Sequence, residues 1–266
     1  MSPVGRFPQE AAIACAALAQ ARRLRWRETA LRFVVWLAVI ATPVGAHALD
    51  QQQVMAGAAV LYNERIAGLR AAQLLDNDTD FHARVQRIAQ PLLAQAARDY
   101  PESAAWPWEV HTTTDPEEHA YAFAGGKLLV SGAHAAALNL SDGELAMVLA
   151  HEIAHAVLRH NLQEYEAALT LEPAWATRPF AELEHAVDHD GALMAKLAPL
   201  GKQQELEADR EGLKLAARAG WAPQVLAGYF RKVVQASSAP NASGFAHPSP
   251  ASRWRAARDA ARQLGR

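Results

Sequence analysis

Apolar and polar positions repeat along this chain with two different periods, and the places where the period changes divide it into segments. Between residues 50 and 100, Ile88, Leu92 and Leu93 recur at helical spacing in an Ala-, Leu- and Gln-rich background. This predicts helices over about Gln51–Leu75 and Asp80–Ala97, separated by the turn-forming Asp76-Asn77-Asp78. From Pro101 to Ala135 the period shortens. Trp108–Thr112 and Tyr121–Val130, the latter with Gly125-Gly126 inside it, read as short strands and form the strand-rich part of the chain. Helical spacing returns at Ser141-Asp142-Gly143-Glu144, a capping box in which the Ser hydroxyl and the Glu carboxylate each satisfy the other's backbone donor. The helix it opens, with Leu145, Val148, Leu149 and Ala156 apolar, is expected to reach about His160. Pro173, Pro179 and Pro199 predict broken helices and loops over 161–200. A helix over about Gln203–Ala219 with Gly220 as a left-handed cap, a loop over Ser237–Pro250 and a final Arg/Ala-rich helix complete the chain. The pattern is that of an α+β protein, mostly helical with one small sheet, and it contains no internal repeat.

Charge is distributed unevenly. Residues 1–48 hold six arginines against Glu10 and Glu28, so the remaining chain carries 26 acidic and 20 basic residues and is net acidic by six. Such a body has no overall attraction for nucleic acid or anionic lipid, and no basic stripe with interleaved aromatics interrupts it. The Arg-rich flank Arg22–Arg32 runs into the apolar stretch Phe33–Ile40, then Thr42-Pro43-Val44-Gly45 and Ala46-His47-Ala48. That layout predicts a secretory signal over 1–48, cleaved after Ala48, and a single domain over 49–266. The alternative is a retained anchor, in which case this segment is the only membrane contact. Arg22-Arg23 is weak evidence for twin-arginine export, and Cys15 precedes the apolar core where a lipid-attachment cysteine would follow it. An exported protein works in an oxidising compartment, where a mature domain without cysteine is at no disadvantage. The single Cys excludes a disulfide scaffold, and 51% apolar with 20% charged residues is a globular composition.

Candidate chemistry sits on the capped helix, in His151-Glu152-Ile153-Ala154-His155. Positions i and i+4 share a helix face, so both imidazoles can reach one ion while Glu152 lies beside a water bound to it. Two solvated surface histidines are the plain alternative. The apolar stretches on either side, Met147–Ala150 and Ala156–Leu158, argue against it, because buried imidazoles need partners. A hydrolytic zinc takes three protein ligands and leaves one position open, and the later helix offers Glu205-Leu206-Glu207-Ala208-Asp209. Glu205 would bind the ion, and Asp209, on the same face, would accept the free N–H of a ligand imidazole. Glu207 points elsewhere and reads as a solvated charge. His160 reads as a helix-dipole partner. His185 and His189, near Asp188 and Asp190, read as a solvated face, although a second ion is conceivable there. His82, His111 and His134 carry no spacing signal, and Trp106 and Trp108 read as core.

His-Glu-x-x-His followed by Glu-x-Glu-Ala-Asp-Arg-x-Gly resembles the M48 zinc endopeptidases, which are gluzincins. Further likeness lies in Glu118-His119-Ala120-Tyr121-Ala122-Phe123-Ala124-Gly125-Gly126-Lys127, in Ala219–Pro223, and in His247-Pro248 with Arg253. Departures are His119 for the usual Asn, Ala124 for the usual Pro, and Gly201-Lys202 for the usual Ser-Arg. The resemblance implies a zincin-like fold and one zinc ion held by His151, His155 and Glu205, with Glu152 as general base. It also implies that a strand containing Tyr121, Phe123 and Gly125 binds extended, unfolded or misfolded protein. His247 is implied either as an oxyanion donor or as a plug over the open metal position, and Arg253 as a donor to substrate or to a site carboxylate. The periplasmic branch is the nearest in layout, with envelope quality control and envelope assembly machinery as the expected setting. A metal-containing chaperone with latent protease activity is the competing reading.

Overall fold

Capped starts define the first two helices: Asp50 accepts from Gln53 N to open α1 (Gln51–Ala71), and Asp78 accepts from Phe81 N to open α2 (Thr79–Asp99). The computed structural model describes residues 49–265, so the expected targeting segment lies outside the described residues. Helix α1 stops short of Leu75 because Gln73 and Asp76 take positive φ values of 59° and 49°, which redirect the chain. Asp76 then draws in two histidines that had no spacing signal: its carboxylate lies 2.9 Å from His82 Nδ1 and 2.5 Å from His111 Nδ1.

Strands β1 (Glu109–Thr113), β2 (Ala120–Phe123) and β3 (Lys127–Ser131) form one sheet in the order β1-β3-β2, with β1 parallel and β2 antiparallel to β3. The stretch Tyr121–Val130 is therefore a hairpin. Gly125 and Gly126, at φ 83° and 84°, turn the chain where a side chain would be strained. β3 is buried along its whole length between its neighbours, and β2 is an edge strand.

A short helix, α3 (Gly132–Ala137), leads to α4 (Asp142–Val157), whose capping box is formed: Ser141 N donates to Glu144 Oε2 at 2.8 Å and Glu144 N donates to Ser141 Oγ at 3.4 Å. Helix α4 ends three residues before the expected His160. Arg159 adopts the left-handed conformation (φ 59°), so His160 becomes the first residue of α5 (His160–Leu171). The proline-containing region folds as the 3-10 turn Pro173–Thr177, α6 (Phe180–His189) and the front of α7 (Gly191–Arg218). Helix α7 begins well before the expected Gln203 and runs through Pro199. The Asp190 cap, which accepts from Ala192 N and Leu193 N, and the burial of Leu193 and Leu197 offset the hydrogen bond the proline removes. Gly220, at φ 99°, follows the end of α7 as the sequence predicts, and α8 (Pro223–Ala236) and α9 (Pro250–Leu264) complete the order.

The main core joins Ile88 and Leu92 of α2, Leu128 of β3, Leu145, Leu149 and Ile153 of α4, and Leu213 of α7, with Trp106 and Trp108 packed against it as expected. Each such side chain contributes about 1.5–3 kcal/mol on burial. A second core gathers Val54 of α1, Tyr165 of α5, Leu183 of α6 and Leu197 of α7. Among the described residues no helix is long and apolar enough to cross a membrane.

Candidate metal centre

Helix α4 is buried on nearly every side, and α7 lies against it at one glycine. A Cβ on Gly212 would stand 2.8 Å from His151 N and 2.9 Å from Ala150 O, so only glycine allows this approach. The contact carries Asp209 and Glu205, one and two turns earlier on α7, up to the histidines of α4. His151 Nε2 and His155 Nε2 are 3.1 Å apart; Glu205 Oε1 is 3.4 Å from His155 Nε2, and its Oε2 is 3.6 Å from His151 Nε2. Ligand bonds of about 2.0–2.2 Å in a tetrahedral site place neighbouring donor atoms about 3.3–3.6 Å apart. The three side chains thus come close to the spacing of such a site, through different oxygens of Glu205, and among the described residues they are the one group of this kind.

The outer nitrogens of both rings have neighbours. Asp209 Oδ1 lies 3.1 Å from His151 Nδ1, where the sequence placed it, and His160 Nδ1 lies 3.0 Å from His155 Nδ1. Arg253, reaching in from α9, donates from Nε and Nη2 to the two oxygens of Asp209 at 2.7 and 2.6 Å, and its Nη1 is 3.1 Å from Glu205 Oε2. Of its two expected roles, the structure shows contact with site carboxylates. Burial alone would raise the Glu205 carboxyl; hydrogen bonding to His155 and the charges of His151 and Arg253 outweigh it and hold the group well below the usual carboxylate range. Asp209 is lowered in the same way, against its burial, by Arg253 and His151. Both therefore stay charged at neutral pH.

Glu152 is half-buried, one step round the helix from His151. His247, on the loop before α9, is 62% exposed and brings Nε2 to 3.7 Å from Glu205 Oε1. On β2, Tyr121 is exposed, Phe123 packs edge-on against Tyr62, and Gly125 sits in the hairpin turn against Met55. His185 and His189 stack on each other at the surface.

Three residues here escaped the sequence reading in their present roles. His160 is buried against His155 instead of facing a helix end; the signal was its position five residues beyond His155, hidden by the break at Arg159. Gly212 sets the helix–helix approach, and its signal was a glycine inside an otherwise helix-forming stretch. Tyr229 of α8 lines a cavity of about 400 Å³ beside His247 and Arg253. Burial pushes its phenol up to about 12, with Asp209, Glu152 and Glu205 near enough to add to the shift and Arg253 opposing it. An aromatic on an amphipathic helix gives no sequence signal for such a place.

Several known proteins are similar to this chain in sequence. The chain is 29% identical to the beta-barrel assembly-enhancing protease of Yersinia pestis over 242 residues, covering 85% of this chain and 47% of that protein. It is 29% identical to the protein of the same name from Escherichia coli (strain K12) over 212 residues, covering 74% and 42%. It is also 32% identical to the mitochondrial metalloendopeptidase OMA1 of Danio rerio over 152 residues, covering 52% and 31%. The chain spans less than half the length of these relatives. The sequence profile of peptidase family M48 matches residues 79–261, from the start of α2 into α9, so that β1 to β3, the helix pair α4–α7 and the carboxylate-bound Arg253 all lie inside the match. With its zincin-like fold and its His-His-Glu cluster, the chain belongs to peptidase family M48, a metallopeptidase family.

Proposed function

We propose that residues 49–266 form a zinc endopeptidase domain that cleaves extended, unfolded or misfolded proteins of the bacterial envelope, exported to the periplasm by the segment 1–48. The observation that carries this reading is the convergence of His151 Nε2, His155 Nε2 and the Glu205 carboxylate, with contacts of 3.1, 3.4 and 3.6 Å among them. Two imidazoles and one carboxylate suit zinc and leave a fourth position for water or substrate. When bound there, zinc acidifies a water molecule and polarises the scissile carbonyl. Glu152 then takes a proton from the attacking water as its oxygen bonds to the carbonyl carbon, and delivers that proton to the amide nitrogen as the C–N bond breaks. Asp209 holds the His151 ring by its Nδ1, and Arg253 keeps Asp209 charged and in place.

Substrate selection rests on the edge strand β2, which pairs with β3 on one side. An added peptide strand would bond to its backbone, with Tyr121 exposed beside it and Phe123 and Gly125 shaping the hairpin. Backbone pairing reads little sequence and needs an extended partner, which favours unfolded chains over folded ones. The name of the Yersinia and Escherichia relatives supports envelope assembly machinery as the setting.

Cleavage of unfolded casein with and without a chelator tests the reading. Activity is expected to vanish with the chelator, and Glu152→Gln is expected to keep the metal while losing about 10²–10⁴-fold in rate. Substantial turnover by that variant contradicts the assignment of Glu152. Metal-independent protection of unfolded protein without cleavage favours a chaperone. His247 Nε2 stands 3.7 Å from Glu205 Oε1, which supports the plug role. His247→Ala is then expected to raise cleavage, whereas a fall assigns the residue to the oxyanion.

A further inference from the structure

The two imidazoles of the metal centre are supported differently. Both turn Nε2 inward, toward each other and Glu205. To offer that lone pair to a cation, each ring must carry its proton on Nδ1, and each Nδ1–H then needs an acceptor inside the protein. For His151 the nearest acceptor is a carboxylate, with Asp209 Oδ1 3.1 Å from Nδ1. For His155 the group at hydrogen-bond distance is another imidazole, His160, with the two Nδ1 atoms 3.0 Å apart.

We propose that His160 is the positioning partner of His155, accepting its Nδ1–H so that the Nε2 lone pair of His155 faces the metal position; this rests on the metal centre proposed above. Two observations support it. The left-handed turn at Arg159 delivers His160 to this place as the first residue of α5, and its side chain is 3% exposed. Its backbone carbonyl accepts from Gln204 Nε2 at 3.0 Å, which ties it to the residue next to Glu205 on α7. Accepting at Nδ1 puts its own proton on Nε2, which is buried with no hydrogen-bond partner; the nearest carboxylate oxygen, of Glu207, is 3.9 Å away. That unpartnered N–H is a cost of the arrangement, which the hydrogen bond accepted from His155 must offset.

The test compares His160→Leu, which keeps bulk without an acceptor, with His160→Asn, whose Oδ1 can stand near the place of Nδ1. Zinc affinity is measured by competition with a chromophoric chelator, alongside thermal melting of the metal-free proteins. Loss of a hydrogen-bond partner to a metal-ligating histidine weakens binding by about 10–100-fold, and this is expected for Leu, with Asn recovering most of it. Leu binding zinc as tightly as wild type overturns the proposal, as does an equal loss in Leu and Asn that tracks melting temperature. Nitrogen-15 spectra of the zinc-loaded wild type give an answer that needs no variant: His160 is expected as the Nε2–H tautomer and His155 as Nδ1–H, and His160 found as Nδ1–H overturns the proposal. A wild type that binds no zinc contradicts the metal centre itself, a different result from either of these.

Discussion

Carboxylates are buried in two parts of this molecule and respond in opposite directions. At the junction of α4 and α7, Glu205 and Asp209 are held below the ordinary carboxylate range because Arg253 and the imidazoles outweigh their burial. In the layer formed by α5 and α6, burial raises Glu164 to about 7 with Asp188 adding to it, and raises Glu184. Glu184 Oε1 is buried without a hydrogen-bond partner beside Gly57, where a Cβ would collide with it. Burial does not by itself decide the state of an acid; the counter-charge delivered with it does. Counter-charge stands beside the carboxylates of the α4–α7 junction, whereas none offsets the burial of Glu164 and Glu184.

The largest test of this contrast removes the counter-charge. Arg253→Met would leave Asp209 and Glu205 buried without their guanidinium, and stability of the metal-free protein should fall by about 3–5 kcal/mol in denaturant titrations. A loss below about 1 kcal/mol, typical of exposed pairs, would show that the junction is not electrostatically built. A smaller effect is expected in the other region. Glu164 is raised above its unfolded value, so the folded state binds more protons between about pH 4.5 and 7, and its contribution to stability declines as pH rises through that window. Glu164→Gln should therefore stabilise the protein at pH 8 by about 1–3 kcal/mol and leave it nearly unchanged at pH 4. Asp209 has the opposite sign: its contribution is present above its unfolded value of 3.8 and is lost as pH falls through the lowered folded value. Equal stability changes for Glu164→Gln at both pH values would erase the distinction between the regions.

The sequence carried the junction better than the outer layer, for physical reasons. His151, His155, Glu205 and Asp209 lie at spacings of four within single helices, so local periodicity already places each pair on one face, and the Ser141–Glu144 box marks where the first helix begins. Bringing the two faces together required Gly212, whose role depends on the backbone of another helix and so leaves no local trace. His160 was hidden because its partnership crosses the left-handed residue Arg159, where helical periodicity no longer applies. Pro199 suggested a break, but the Asp190 cap and the buried Leu193 and Leu197 outweigh the single hydrogen bond it removes. The strands were legible as a region, and their pairing as a hairpin plus a parallel partner followed from the positive φ of Gly125 and Gly126 and from contacts no local pattern encodes.

The metal centre is tested most directly by zinc titration of wild type and Glu205→Gln with metal content measured after dialysis. The expected result is one tightly held zinc per wild-type chain and a large loss of affinity in a variant that still melts cooperatively. No zinc on the wild type, or unchanged affinity in the variant, would contradict it.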